Sequence, residues 1–344
     1  MTGLHRILAS WCGLLAIAVP ALAAEPPILN AAAVPGINEP ARAAYATFVT
    51  TNLPRAFAVS PSGAWGWSGG RGTIDEARAK ALQSCAGKGA TGCEIYAEDL
   101  QVVWHGRPPV ALARPSGPLK AERDYALVYD ERYFWHGPAA ARGVYVWGHG
   151  KGPGQDGREA QAQNYVRVFN NAGFDVIRFG RSPLPDRAED ASTFLHAALT
   201  ELRARGWKLV VVGGQSRGAW NSLQILDSPG LADAVVAVSP ANLVGDNAGE
   251  QAWRFSQILQ NIKSRATRVA VVHFTNDSYI RDPNERAAAI RGTLPPRVAA
   301  SLFIDRPAGI DGHGGGNQVV FTQRFGGCLL RFVTDPTPPA SCPN

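Results

Sequence analysis

Two patterns in the sequence predict an α/β protein with a mainly parallel, doubly wound sheet, preceded by a small α+β module. Short unbroken runs rich in β-branched residues, of which Leu209-Val210-Val211-Val212 is the clearest, suit strands covered on both faces. From about Arg123 to Val333 such runs alternate with segments whose apolar residues fall at helical spacing, and that order favours crossovers between parallel neighbours. Composition agrees: 45% of the 344 residues are apolar and 18% charged, which is adequate for a sizeable core.

Residues 1–24 read as a secretory signal. His5 and Arg6 precede the apolar run Ile7–Val19, and Pro20-Ala-Leu-Ala-Ala offers small residues for cleavage. The run is too short to span a bilayer comfortably, and Trp11 stands before Cys12 where a lipoprotein signal needs a small residue. The expectation is a periplasmic or secreted chain with no transmembrane segment once the signal is removed. Its formal charge of +6 comes from scattered arginines mixed with acids. No Lys/Arg block with interleaved aromatics appears, so a solvated cationic surface is expected rather than a nucleic-acid partner. Removing the signal leaves Cys85, Cys93, Cys328 and Cys342. An even count in an exported chain suggests disulfides, and four cysteines allow three connectivities. The local pairs Cys85–Cys93 and Cys328–Cys342 are the reading adopted. No Cys-x-x-Cys or nearby histidine pair points to a metal.

Residues 25–49, Pro- and Ala-rich without a clear period, read as a linker, and 50–106 as the small module. There Ala56–Val59 is a candidate strand and Ser60–Gly63 a turn, with Trp65 and Trp67 alternating around another turn. Thr73-x-x-Glu76 is a capping-box signal opening a helix over Ile74–Cys85, and Cys93–Ala97 returns as a strand. This order resembles a small domain of unknown function found in secreted bacterial proteins, and the resemblance implies a fold rather than an activity.

The main domain is expected over 107–335, followed by a Pro-rich tail, 336–344. Tyr125–Tyr129 is a first strand; Val144–Trp147 is another, running into Gly148-His149-Gly150-Lys151-Gly152. Ala162, Tyr165, Val166 and Phe169 mark one face of a helix. Strand Phe174–Phe179 follows, then a helix with Ala191, Leu195, Ala198, Leu199 and Leu202 toward the sheet. Further strands are expected at Ala234–Val238, Arg268–Phe274 and Ala299–Ile304, and helices at Asn284–Arg291 and Gln318–Val333. Residues 240–266 have room for one or two helices. There is no internal repeat.

Between the strand Leu209–Val212 and a helix carrying Ala219, Trp220, Leu223 and Leu226 lies Gly214-Gln215-Ser216-Arg217-Gly218. With 37 glycines in the chain, Gly-x-Ser-x-Gly should arise by chance in roughly one such chain in five. A second match, Gly66-Trp67-Ser68-Gly69-Gly70, has no apolar strand leading in and no helix leading out, and reads as a glycine-rich turn. Context therefore selects Ser216. A sharp strand-to-helix turn pushes its Oγ out at the strand's carboxyl end, beside helix-N-terminal N–H groups.

This arrangement resembles the nucleophile elbow of the α/β-hydrolase superfamily, in its serine esterase, lipase and dienelactone-hydrolase-like branch. The family's chain order is serine, acid, histidine. Of the two histidines after Ser216, His273 lies within an apolar run and reads as a core residue. His313 sits in a glycine-rich loop before the last helix, where the family places its catalytic histidine. The acid should follow the strand Arg268–Phe274. Asp277 fits the position the resemblance points to, while Asp282-Pro283 looks like a helix-opening turn and Asp305 and Asp311 lie elsewhere. By the same resemblance, the backbone N–H groups of Arg217 and Lys151, or failing the latter Gly150, form the oxyanion hole.

The implied function is an exported serine hydrolase, needing no cofactor or metal, that cleaves an ester, thioester or amide of a small-molecule or envelope-derived acyl substrate. A peptidase or acyltransferase would use the same residues. The competing class is a non-catalytic envelope-binding protein on the same scaffold. Oligomeric state is not readable. Every catalytic candidate lies after the module, so residues from about Gly106 onward are expected to fold and act without it.

Overall fold

The computed structural model describes residues 26–108, 111–115, 118–151, 156–183, 187–242 and 248–343. The expected signal segment and Gly152 lie outside them.

The stretch read as a linker is a packed element instead. Helix α1, Glu39–Thr50, starts where the Asn38 side chain accepts the Ala41 N–H at 3.1 Å, with Pro40 in the first turn. Ala41, Tyr45 and Phe48 fall on one face and are fully buried. They rest on Phe57 of an antiparallel four-stranded sheet ordered β2-β1-β3-β4, with β1 Arg55–Val59, β2 Trp65–Gly69, β3 Glu94–Glu98 and β4 Gln101–Val102. Trp65 and Trp67 lie in strand β2, not around a turn. Helix α2, Ile74–Ala86, covers the other face and begins at Thr73, whose hydroxyl accepts the Glu76 N–H. A disulfide joins Cys85 at its end to Cys93.

The main sheet has eight strands: β5 Lys120–Ala121, β6 Tyr125–Tyr129, β7 Gly143–Gly148, β8 Phe174–Arg181, β9 Val210–Gln215, β10 Ala234–Val238, β11 Arg268–His273 and β12 Ala300–Asp305. Their spatial order is β12-β11-β10-β9-β7-β8-β6-β5. Strands β7 to β12 are mutually parallel, and β5 and β6 are antiparallel additions at one edge. The chain steps from β7 outward to β8 and then returns to the other side of β7 as β9. That reversal opens a crevice at the carboxyl edge, where α/β sheets hold their sites.

Helices α3 Tyr165–Asn171, α4 Ala188–Ala204, α5 Arg217–Gln224, α6 Ala248–Gln260 and α7 Pro283–Thr293 connect the strands. The expected last helix is interrupted: α8 Val319–Phe321 passes through a π turn, Thr322–Gly326, into α9 Gly327–Thr334. Cys328 of α9 is bonded to Cys342, which ties the Pro-rich tail back to the last helix. The sheet is covered on both faces. Leu195, Leu199, Trp220 and Phe255 belong to one buried layer, and Tyr165, Phe169, Phe321 and Phe332 to the other.

The N-terminal layer docks on this domain through buried polar contacts as well as apolar ones. Asn52 N–H donates to Asn164 Oδ1 at 2.8 Å, and its side-chain amide donates to the Ala162 carbonyl at 2.8 Å. Leu53 exchanges two bonds with the Gln161 amide, Asn171 donates to the Val49 carbonyl, and Gln323 donates to Thr47 Oγ1 at 2.8 Å. Phe134 of the main domain lies within the module's own core. Independent folding from Gly106 onward, expected from sequence, therefore meets a physical objection. Truncation exposes Phe134 and strands several partners at about 1 kcal/mol each. A protein starting at residue 107 is expected to melt at least about 10 °C below the full chain, since 1 kcal/mol is worth about 2–4 °C at this size. Equal melting temperatures in differential scanning calorimetry would restore the separable-module reading.

Candidate active site

Strand β9 ends at Gln215, and Ser216 turns the chain into α5 with φ 56° and ψ −117°. A non-glycine residue at positive φ is strained, and it persists only where its surroundings fix it. Here they do. Ser216 N–H donates to the Val238 carbonyl at 3.1 Å, and its own carbonyl accepts the Ala241 N–H at 3.2 Å and the Trp220 N–H at 2.9 Å. Glycine is required at 218 because a Cβ there would strike the Gly148 carbonyl, so α5 could not approach β7. Ser216 is consequently held rigidly, 5% exposed, at the carboxyl edge.

The other Gly-x-Ser-x-Gly is not the glycine-rich turn its sequence implied but part of a strand, with Trp67 and Ser68 in antiparallel register with Phe57 and Ala56 of β1. Ser68 lies in β2, 3% exposed, and accepts a 2.7 Å bond from Arg71 Nε.

His313 and Asp277 are brought together. His313 Nδ1 lies 2.8 and 2.9 Å from the two carboxylate oxygens of Asp277. A carboxylate accepts there, so the Nδ1 of His313 carries the proton and its Nε2 is left as the basic nitrogen. Burial by itself would raise the pKa of Asp277. The bond from His313, the Tyr279 N–H at 2.9 Å and the nearby Ser239 hydroxyl outweigh it and hold the carboxyl below its ordinary range. The histidine loop is fastened on two sides: Gly312 N–H donates to the Thr275 carbonyl at 2.7 Å, and Gln215 Nε2 donates to the His313 carbonyl at 3.2 Å. The second bond joins the residue before Ser216 to the histidine itself.

The other acids are engaged elsewhere. Asp282 precedes α7, yet its carboxylate makes no cap bond; it pairs with the buried Arg286 at 3.0 Å. Asp305 pairs with Arg291 and Arg306. His273 is 1% exposed in the core, as expected, but its ring nitrogens have no hydrogen-bond partner among the described residues. Burial, with the Arg286 charge, pushes its pKa down to about 3, so it stays neutral.

Gly150 passes directly over the elbow: a Cβ there would sit 2.6 Å from Gln215 Oε1 and 3.5 Å from Ser216 Cβ. Sequence reasoning missed what orients this loop. Arg181, at the end of β8 and 2% exposed, donates through Nη2 to the His149 carbonyl at 2.8 Å and to the Gly150 carbonyl at 3.4 Å. Its backbone N–H donates to His149 Nε2 at 3.1 Å, which places the His149 proton on Nδ1, 2.6 Å from the Gly150 carbonyl. In a trans peptide the N–H points opposite to the C=O. Holding the Gly150 carbonyl from one side thus aims the Lys151 N–H to the other. Tyr279, whose ring lies 4.4 Å from that of His313, was also missed. Its place two residues after the acid was the only signal for it.

Among the described residues, no three or more His, Cys, Asp or Glu are placed to hold a metal ion, and no helix is long and apolar enough to cross a membrane. No family model matches the sequence, and no curated protein matches it significantly. Solved structures do resemble it. The Pyrococcus furiosus esterase Pf2001 is 15% identical, with 66% of this chain and 100% of that one covered at a TM-score of 0.46. Est1E from Butyrivibrio proteoclasticus is 12% identical over 62% of this chain and 97% of that one, at 0.45. The uncomplexed Pyrococcus horikoshii acylaminoacyl peptidase is 13% identical over 65% of this chain and 42% of that one, at 0.42. The chain's own mainly parallel eight-stranded sheet, with a strand–serine–helix turn at its carboxyl edge, is the α/β-hydrolase fold.

Proposed function

We propose that this protein is a serine hydrolase that cleaves an ester, thioester or amide through an acyl-enzyme. The observation that carries the reading is the strained Ser216 turn tied, through Gln215, to a histidine whose far nitrogen is oriented by a buried carboxylate. Ser216 Oγ attacks the acyl carbon while its proton passes to His313 Nε2, and Asp277 stabilises the resulting imidazolium without taking a proton. The N–H groups of Arg217 and Lys151 hold the oxyanion. His313 then gives the proton to the leaving group. Water, deprotonated by the same nitrogen, releases the acid and regenerates Ser216. Two disulfides suit an oxidising compartment, so we place the protein in the periplasm or outside the cell.

An unactivated serine scarcely reacts with a fluorophosphonate, because it lacks both a base and a site for the anionic intermediate. The probe is expected to modify the peptide containing Ser216 and to leave Ser68 untouched, as mapped by mass spectrometry. No adduct at Ser216 with either this probe or a small sulfonyl fluoride, in folded protein, would hand the case to the non-catalytic scaffold.

A further inference from the structure

A cavity of about 250 Å³ lies where the N-terminal layer meets the main domain. Ile28, Leu100, Val102, Leu112, Phe134 and Trp135 are among its apolar lining. It is far from Ser216. His136, which also lines it, is anchored by its backbone N–H to Asp175 at 2.7 Å, and Asp175 is the second residue of β8. The cavity is therefore at the amino edge of the parallel strands, whereas Ser216, His313 and Asp277 gather at the carboxyl edge. It does not belong to the proposed active site.

Three polar side chains line it among the described residues: Gln101, Arg107 and His136. Arg107 lines it as an exposed cation. The Nε2 of His136 is buried and has no hydrogen-bond partner among the described residues. No aspartate or glutamate is among the described lining residues. An apolar chamber with a cation at its edge matches a ligand with a hydrocarbon body and an anionic oxygen head. Its size is just under the range of roughly 300–1,000 Å³ common for drug-sized ligands, so the body must be short.

We propose that this cavity is a second binding site, for a small amphipathic carboxylate of about the length of octanoate. The carboxylate pairs with the Arg107 guanidinium, while the chain lies against Phe134 and Trp135. The proposal does not rest on the hydrolase reading, and it stands or falls without any turnover.

The test is titration calorimetry of the full chain carrying Ser216→Ala, with sodium octanoate and, as the neutral counterpart, 1-octanol. Saturable octanoate binding with a Kd of about 1 mM or tighter is expected. Arg107→Gln, at an exposed position, should weaken octanoate about tenfold and leave octanol unchanged. Leu112→Trp, or Ala113→Trp at the exposed rim should the first not fold, should abolish both. Absence of saturable octanoate binding, equal affinity in Arg107→Gln, or binding blocked by modification of Ser216 in the wild type but untouched by the tryptophan plugs would each overturn the proposal.

Discussion

His313→Ala is expected to lower kcat by about 10⁶, by analogy with serine proteases, while the protein stays folded. In the proposed mechanism the imidazole takes the Ser216 proton and returns it to the leaving group. Its side chain is 16% exposed, so its removal opens a space that water fills rather than a dry core cavity. Steady-state hydrolysis of an activated ester, with circular dichroism of the same sample, checks both halves. The remaining rate should exceed that in water by about 10³, because N–H donors and substrate binding persist. A variant that keeps more than about a hundredth of the wild-type kcat would move the base elsewhere.

Two aspartates five residues apart should fail in different ways. Asp277→Asn preserves shape but lets the imidazole adopt the wrong tautomer, which costs on the order of 10⁴ in kcat. Asp282→Asn leaves chemistry within about tenfold, because Asp282 does not touch His313; it removes the charge facing Arg286, whose side chain is 0% exposed. Loss of one partner of a buried pair costs about 3–5 kcal/mol. Arg286 also donates to the Pro240 carbonyl at 2.7 Å and to Gln251 Oε1 at 3.2 Å, so the damage spreads to the segment behind Ser216. Melting and rate measurements on both variants separate the roles. Exchanged outcomes, with Asp282→Asn inactive and Asp277→Asn merely less stable, would reverse the assignment.

The central strands β7 to β11 were legible because they are buried on both faces and so read as apolar runs, whereas the short edge strand β5 was not read. Tyr125–Tyr129 and Ala234–Val238 have the bounds the sequence implies, and the other expected strands shift by one to three residues. The contact between Asp277 and His313 was legible because the resemblance and the loop positions point to that pair. Helix α1 was not. Its buried positions 41, 45 and 48 are helically spaced, but alanines occupy exposed positions as well and blur the period. Asn38 with Pro40 was the readable cap signal. Arg181 was illegible for another reason: it meets His149 across 32 residues, through carbonyl groups that no side-chain pattern encodes. Asp282-Pro283 does open α7, as the residue before a proline suggested, but the ion pair of Asp282 with Arg286, four residues on, was not read.

The bond between Thr47 and Gln323 spans 276 residues. A chain that emerges amino end first makes α1 and its sheet early, yet their docking surface, built from residues 161–171 and from the last helical segment, comes late. Loop-closure entropy across that span must be met before the contact gives any return, which slows folding. Until then Phe134 and the underside of the N-terminal layer stay uncovered. Such a chain cannot complete its fold vectorially, because its first layer waits for its last helical segment. The Cys328–Cys342 disulfide then ties the tail to a last helix that is itself part of this late docking surface.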